Sequence, residues 1–260
     1  MAHRPRADFR DRFGGAAPAY AAYRPRYPAA LFTALATLAP ARCRAWDCAT
    51  GSGQAAIGLA EYFDEVIATD ASAAQLAAAQ AHPRVRYGRA PAEASGLPAR
   101  SVDLVTVAQA LHWLDTPAFY AEVRRVLVPG GVLAVWCYGL VTIGSGVDEL
   151  IGDFYHETVG PYWPPERAHV ESGYRTIDFP FAELVLPPLV MEAAVTLEEL
   201  AGYLGTWSAV LRYREARGRD PIPALVERLR APWGAAERRR TARWDLAVRA
   251  GRLPPPPPLR

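Results

Sequence analysis

Asp47-Cys48-Ala49-Thr50-Gly51-Ser52-Gly53, followed by a second aspartate at position 70, is the stretch that decides how this chain folds. Residues 44–48 read as a short strand, and residues 54–62 as a helix. Small residues at a strand-to-helix turn let backbone N–H groups come close to a ligand. The next apolar run, 66–69, reads as a second strand ending at Asp70. A carboxylate there can accept hydrogen bonds from both hydroxyls of a ribose. Asp47 and Asp70 are 23 residues apart, one strand–helix–strand step. The segment predicts a nucleoside site on a parallel α/β sheet.

The alternation continues outward from it. An alanine-rich helix is expected over 73–80, and strands over 85–87, 102–107 and 132–136, with Pro129-Gly130-Gly131 as a tight turn just before the last. Past residue 139 the rhythm changes. Residues 147–172 look helical but are interrupted by Pro161, Pro164 and Pro165. Residues 179–195 are proline-spaced and β-like, helices are expected over 197–217 and 222–230, and residues 240–248 look like a strand. The pattern predicts a Rossmann-like, doubly wound, mostly parallel sheet with an antiparallel edge strand and an inserted helical cap. The expected organisation is an N-terminal cap (1–40), a nucleoside-binding core (41–140), a substrate region (141–235), a C-terminal edge strand (236–253) and a proline-rich tail (254–260).

Which nucleoside the site would take depends on Asp47. The run from Gly51 to Ala56 satisfies the G-x-G-x-x-A dinucleotide pattern. Asp47, however, lies four residues before the first glycine, where its charge repels a pyrophosphate and suits a ligand carrying an ammonium and a sulfonium. That favours S-adenosylmethionine over a nicotinamide cofactor.

These residues resemble the class I S-adenosylmethionine-dependent methyltransferases, and more closely the group with the methyltransferase type 11 domain that includes trans-aconitate-methyltransferase-like proteins. Asp47–Gly53 is similar to the family's D-x-G-x-G-x-G motif, and residues 66–72 to its second-strand motif. Asp103–Thr106 resembles the fourth-strand motif, and Leu127–Gly131 the hairpin before strand five. Phe13, Tyr20, Tyr23-Arg24-Pro25 and Tyr27-Pro28 resemble the family's N-terminal stretch, and Gln109-Ala110-Leu111-His112-Trp113 its QALHW segment. There are two departures. Ala49 replaces the usual first glycine, which is tolerable if that residue needs no positive φ. Pro91 stands where many relatives carry an aspartate that binds the adenine amino group.

The resemblance and the residues together give a candidate site. The cofactor-binding set is Tyr20, Arg24, Asp47, Ala49, Gly51, Ser52, Gly53, Asp70, Ala71, Ala92, Glu93 and Gln109, with Asp47 near the ammonium and Asp70 on the ribose. Asp70 could instead cap the following helix. Arg24 presents a planar fork suited to the cofactor's carboxylate, or is an ordinary surface arginine. His112, just past the fourth strand, is the catalytic candidate: a general base, a hydrogen-bonding partner of the substrate, or a packed core histidine. Tyr23, Trp113, Tyr155, Trp163 and Trp207 are the candidate substrate-binding residues; aromatic residues at such spacing also serve as core.

Composition narrows the alternatives. All 29 positive charges of the 260 residues are arginine; there is no lysine, so Schiff-base chemistry and a Walker-type phosphate loop are excluded. Three scattered cysteines argue against a disulfide framework, and five histidines without metal-ligand spacing argue against a zinc site. No apolar run approaches the ~18 residues of a membrane span, and the charged N-terminus lacks an apolar signal core, so a cytoplasmic protein is expected. Residues 151–211 carry 2 Arg against 9 acids and residues 212–260 carry 13 Arg against 5, so the two segments are expected to dock on each other. The expected activity is methyl transfer to an O, N or carboxylate nucleophile of a small molecule. The alternatives are an RNA or protein methyltransferase, a nicotinamide-dependent oxidoreductase, and a non-catalytic S-adenosylmethionine-binding protein.

Overall fold

A computed structural model describes residues 23–253. Helix α1 (Ala29–Leu38) leads into β1 (Arg44–Cys48), α2 (Gln54–Ala60), β2 (Glu65–Asp70), α3 (Ala73–Ala77) and β3 (Val85–Arg89). Then come β4 (Val102–Ala108), a 3₁₀ turn (Leu111–Trp113), α4 (Thr116–Val126) and β5 (Leu127–Tyr138). The second half holds α5 (Val147–Asp153), a π turn (Phe154–Thr158), a 3₁₀ turn (Gly160–Tyr162), α6 (Arg167–Glu171), β6 (Ala182–Leu184) and β7 (Leu189–Val195). It ends with α7 (Leu197–Gly205), α8 (Ser208–Arg217), α9 (Ile222–Trp233) and β8 (Arg240–Arg252).

The sheet runs β3-β2-β1-β4-β5-β8-β6, with β7 also on β8. Strands β1 to β5 are parallel, and β8 runs antiparallel to β5, β6 and β7. The order reverses between β1 and β4, which opens the crevice where ligands of such sheets bind. Central strands covered on both faces need continuous apolar runs. Val102, Leu104, Val105 and Val107 of β4, and residues 132–138 of β5, are all buried. One face packs Leu31 and Leu35 of α1 and Ala55 and Leu59 of α2. The other packs Trp46 and Cys48 of β1 against Phe119, Val123 and Val126 of α4. Trp46 is fully buried because its indole N–H has a partner, Thr69 Oγ1 at 2.8 Å.

Several expectations needed correction. Strand β8, expected at the edge, is internal: β6 and β7 cover its two halves, separated by Pro187-Pro188, which cannot donate to a ladder. Residues 179–195, read as β-like, supply β6 and β7 within the region 141–235. Pro129-Gly130-Gly131 is a bulge within β5 rather than a turn before it: pairing jumps from Val102↔Leu127 to Leu104↔Val132, with Gly130 at φ +76°. The helix expected over 197–217 breaks at Thr206-Trp207 into α7 and α8. The opposite charges of the last two segments do meet. Arg228 pairs with Asp153, Arg239 with Glu199, Arg243 with Glu192 and Arg249 with Glu183, at 2.5–3.5 Å.

Candidate active site

The turn between β1 and α2 is held in shape by its two aspartates. Asp70, half-buried at the end of β2, accepts the Gly51 N–H on one oxygen and the Ser72 N–H on the other, both at 2.8 Å. It is not the cap of α3: that is Ser72, whose hydroxyl accepts the Gln75 N–H. These two backbone donors fix the plane of its carboxylate. Asp47 is fully buried and accepts hydroxyls from Thr50 at 2.5 Å and Thr106 at 2.7 Å. Burial outweighs those hydrogen bonds and pushes its carboxyl up to about 6.

Gly51 and Gly53 both have positive φ, and a Cβ on Gly53 would lie 2.2 Å from the Tyr87 hydroxyl. Ala49 also has positive φ, +54°, so the condition under which its departure from glycine is tolerable is not met, and the backbone is strained there. Two loop amides are turned inward, Gly51 N–H to Asp70 and Gly53 N–H to the Thr50 carbonyl at 3.0 Å. Ser52 is buried, and the Ala71 carbonyl accepts from Arg89 at 3.1 Å. Ala92 is buried, and Glu93 accepts the Asp115 N–H at 3.2 Å, tying residues 92–93 to the start of α4.

Across the switch point, Gln109 is another non-glycine residue at positive φ, +54°. Its amide accepts the Tyr138 N–H at 3.0 Å and donates to the Tyr138 carbonyl at 3.2 Å, extending the β4–β5 ladder with a side chain. The Tyr138 hydroxyl accepts from Arg24 at 2.9 Å. Arg24 also donates to the Thr206 hydroxyl at 3.1 Å and lies over the Tyr203 ring. It is thus no free surface arginine. His112 sits on the 3₁₀ turn after β4, with Nδ1 3.0 Å from the Tyr174 hydroxyl and its ring 4.4 Å from that of Trp113.

Tyr155, Trp163 and Trp207 form one cluster, with ring centroids 4.8–5.6 Å apart. Tyr155 and Trp163 line an open depression of about 360 Å³ together with Arg167 and Glu171. The Tyr155 hydroxyl accepts from Arg167 at 2.7 Å and donates to Glu171 at 2.5 Å. Tyr23 is apart from this cluster, lying on Gly202 of α7. Tyr20 lies outside the described residues. Sequence reasoning missed Tyr138 and Tyr174, and no local pattern marks them, because each meets its partner across 62 to 114 residues. Thr50 was within reach, three residues from Asp47 on the same turn.

The donor set suits S-adenosylmethionine: a pinned, half-buried carboxylate for a diol and a buried carboxylate for a cation at the switch point. Among the described residues no group of three or more His, Cys, Asp or Glu could hold a metal ion, and no helix is long and apolar enough to cross a membrane. Comparison with known proteins agrees with the cofactor reading. Residues 46–135 match the family model described as a methyltransferase domain. A Dictyostelium discoideum protein provisionally named as a methyltransferase is 35% identical over 225 residues, 85% of this chain and 86% of that protein. The Aspergillus candidus methyltransferase cfoB is 31% identical over 54% of this chain and half of its own length. A solved structure from Anaeromyxobacter dehalogenans, provisionally named as a type II methyltransferase, superposes with a TM-score of 0.85 at 51% identity, over 90% of this chain and all of that one. With likeness extending this far beyond the glycine turn, through the second half of the sheet, the chain belongs to the class I S-adenosylmethionine-dependent methyltransferases.

Proposed function

We propose that this chain methylates a small molecule in the cytoplasm, on an oxygen, nitrogen or carboxylate nucleophile, and that it stands with the trans-aconitate-methyltransferase-like group. The observation that carries the reading is the pairing of pinned Asp70 with buried Asp47 on either side of one turn. Asp70 takes the ribose hydroxyls, Asp47 faces the ammonium, and Gly51, Ser52 and Gly53 shape the turn between them. Ala71, Ala92 and Glu93 border the adenine. Arg24, held by Tyr138 and Thr206, closes the cofactor side from the N-terminal segment, together with Gln109.

S-adenosylmethionine brings an already activated methyl group, so the chain's own work is alignment and exclusion of water. His112 touches the methyl acceptor. Tyr155, Trp163 and Trp207 shape the acceptor's side from residues 141–235, Trp113 from the core and Tyr23 from the N-terminal cap. Four of the thirteen arginines of the basic segment pair with acids of the preceding one, which weighs against an RNA-binding surface there.

Calorimetric titration with S-adenosylhomocysteine, with NAD as control, tests the cofactor site. Micromolar binding of the first alone is expected, and binding of NAD alone refutes the reading. A panel of small acids, amines and phenols with labelled methyl donor then tests the substrate class. Label appearing only in RNA or protein would overturn it.

A further inference from the structure

Tyr174 is fully buried and has φ +64°, a conformation that a bulky side chain adopts only when its surroundings force it. The preceding Gly173 is at φ +61°, and a Cβ there would lie 2.9 Å from Cβ of Ala247 on β8. Several contacts fix this turn. The Tyr174 N–H donates to the His169 carbonyl at 2.8 Å, and its own carbonyl accepts from the Ile177 N–H at 3.1 Å and from Arg249 at 2.8 Å. Arg249 reaches the Ile177 carbonyl as well, pairs with Glu183, and lies over the Phe179 ring. A left-handed residue costs about 1–2 kcal/mol when it is not glycine. Glycine or asparagine would make the same turn at less cost, but neither would carry a hydroxyl as far as the ring of His112. The phenol reaches Nδ1 at 3.0 Å, and the two rings are 5.9 Å apart.

A phenol and a neutral imidazole can hydrogen-bond in either direction. The phenol hydroxyl is a good donor, and the bare imidazole nitrogen is the better acceptor of the two. The favoured arrangement sends the Tyr174 proton towards Nδ1 and leaves the ring proton on Nε2. We propose that Tyr174 is a positioning residue: its hydroxyl donates to Nδ1 of His112, keeps the ring proton on Nε2, and makes the histidine a hydrogen-bond donor to the methyl acceptor rather than a base. This rests on His112 facing the acceptor, as proposed above. It narrows the substrate to acceptors that arrive already nucleophilic and need only be oriented, since neither ring nitrogen is left to take a proton.

The test is the position of the ring proton. Histidine-labelled full-length protein is examined by long-range ¹H–¹⁵N NMR at a pH where imidazole is neutral, with the His112 signals assigned from H112Q. The expected wild-type spectrum shows the proton on Nε2 and a hydrogen-bonded Nδ1. In Y174F the Nδ1 signal moves to that of an unbonded nitrogen. Turnover of an acceptor found in the panel falls about tenfold, the size of one lost hydrogen bond, with KM and S-adenosylhomocysteine affinity unchanged. A wild-type proton on Nδ1, or a Y174F ring spectrum identical to wild type, overturns the proposal. The wild-type measurement decides even if Y174F does not fold. Failure to bind S-adenosylhomocysteine would instead count against the cofactor reading and leave the ring measurement standing.

Discussion

Replacing Asp47 by asparagine should stabilise the unliganded protein at neutral pH while weakening its cofactor site. Asp47 has no exposed surface, and burial is the largest influence on its carboxyl, raising it from 3.8 to about 6. A raised carboxyl means that the folded state keeps a proton the unfolded state has lost. Stability therefore falls as pH rises through the interval between those two values. About two pH units at 1.36 kcal/mol each make that loss about 3 kcal/mol at pH 7.5, and about 1 kcal/mol at pH 4.5. Asparagine carries no charge and escapes the loss. It keeps one threonine hydroxyl on its carbonyl and requires the other to rotate and accept from its amide, at a cost of about 1 kcal/mol.

The net expectation for D47N is a gain of about 2 kcal/mol at pH 7.5 and about none at pH 4.5. In a chain of this size that is a rise of roughly 4–8 °C in Tm at the higher pH. Thermal melts of both proteins at the two pH values read it directly. Subtracting wild type from variant removes every other titrating group. A difference that does not change with pH, or a variant less stable at pH 7.5, would refute the reasoning. The same melts with S-adenosylhomocysteine should show a large shift in wild type and little in D47N.

Four further outcomes are expected. At pH 6, where Asp47 is about half protonated, S-adenosylhomocysteine binding should release about half a proton, seen as a dependence of the calorimetric heat on buffer ionisation; no release would separate Asp47 from the ammonium. G53A, whose Cβ would meet the Tyr87 hydroxyl at a residue with φ +85°, should lose about 2 kcal/mol by urea unfolding and weaken S-adenosylhomocysteine binding more than tenfold. A49G should gain about 0.5–1 kcal/mol, relief of the left-handed alanine less the extra freedom of unfolded glycine; a loss would contradict the strain. Glu122, held near 2 by Arg125 and also hydrogen-bonded by Ser95, contributes stability above its ordinary 4.5 that is lost as pH falls towards 2, so E122Q should cost about 2 kcal/mol at pH 7 and progressively less in acid melts.

The first half of the sheet was legible because its strands are short apolar runs and its turn residues are chemically distinctive. Strand β1 falls where alternation and the Asp47–Gly53 turn put it. The second half was not, because strand order depends on register between segments far apart in sequence. Nothing in Arg240–Arg252 says that Ala182–Leu184 and Leu189–Val195 will cover it from outside. The charge imbalance between residues 151–211 and 212–260 did foretell that the segments meet, since totals survive without knowledge of geometry. The partners themselves, such as Arg228 with Asp153, needed the fold.

Strain explains what was missed at the site. Among the described residues, four that are not glycine have positive φ: Ala49, Arg100, Gln109 and Tyr174. Three of these stand at the candidate site: one in the nucleoside turn, one at the carboxyl end of β4, one against His112. Only glycine advertises a left-handed backbone in sequence, so reading glycines finds Gly51 and Gly53, while Ala49 and Gln109 enter the candidate set without their backbone being foreseen and Tyr174 is missed altogether. Two of those three carry a side-chain contact that glycine could not make: Gln109 its amide on Tyr138, Tyr174 its hydroxyl on His112. Ala49 has no such polar contact to lose, which is why its replacement by glycine is the substitution expected to stabilise. A site built in this way stores its cost in the backbone and its purpose in contacts across the fold, and neither can be read from spacing alone.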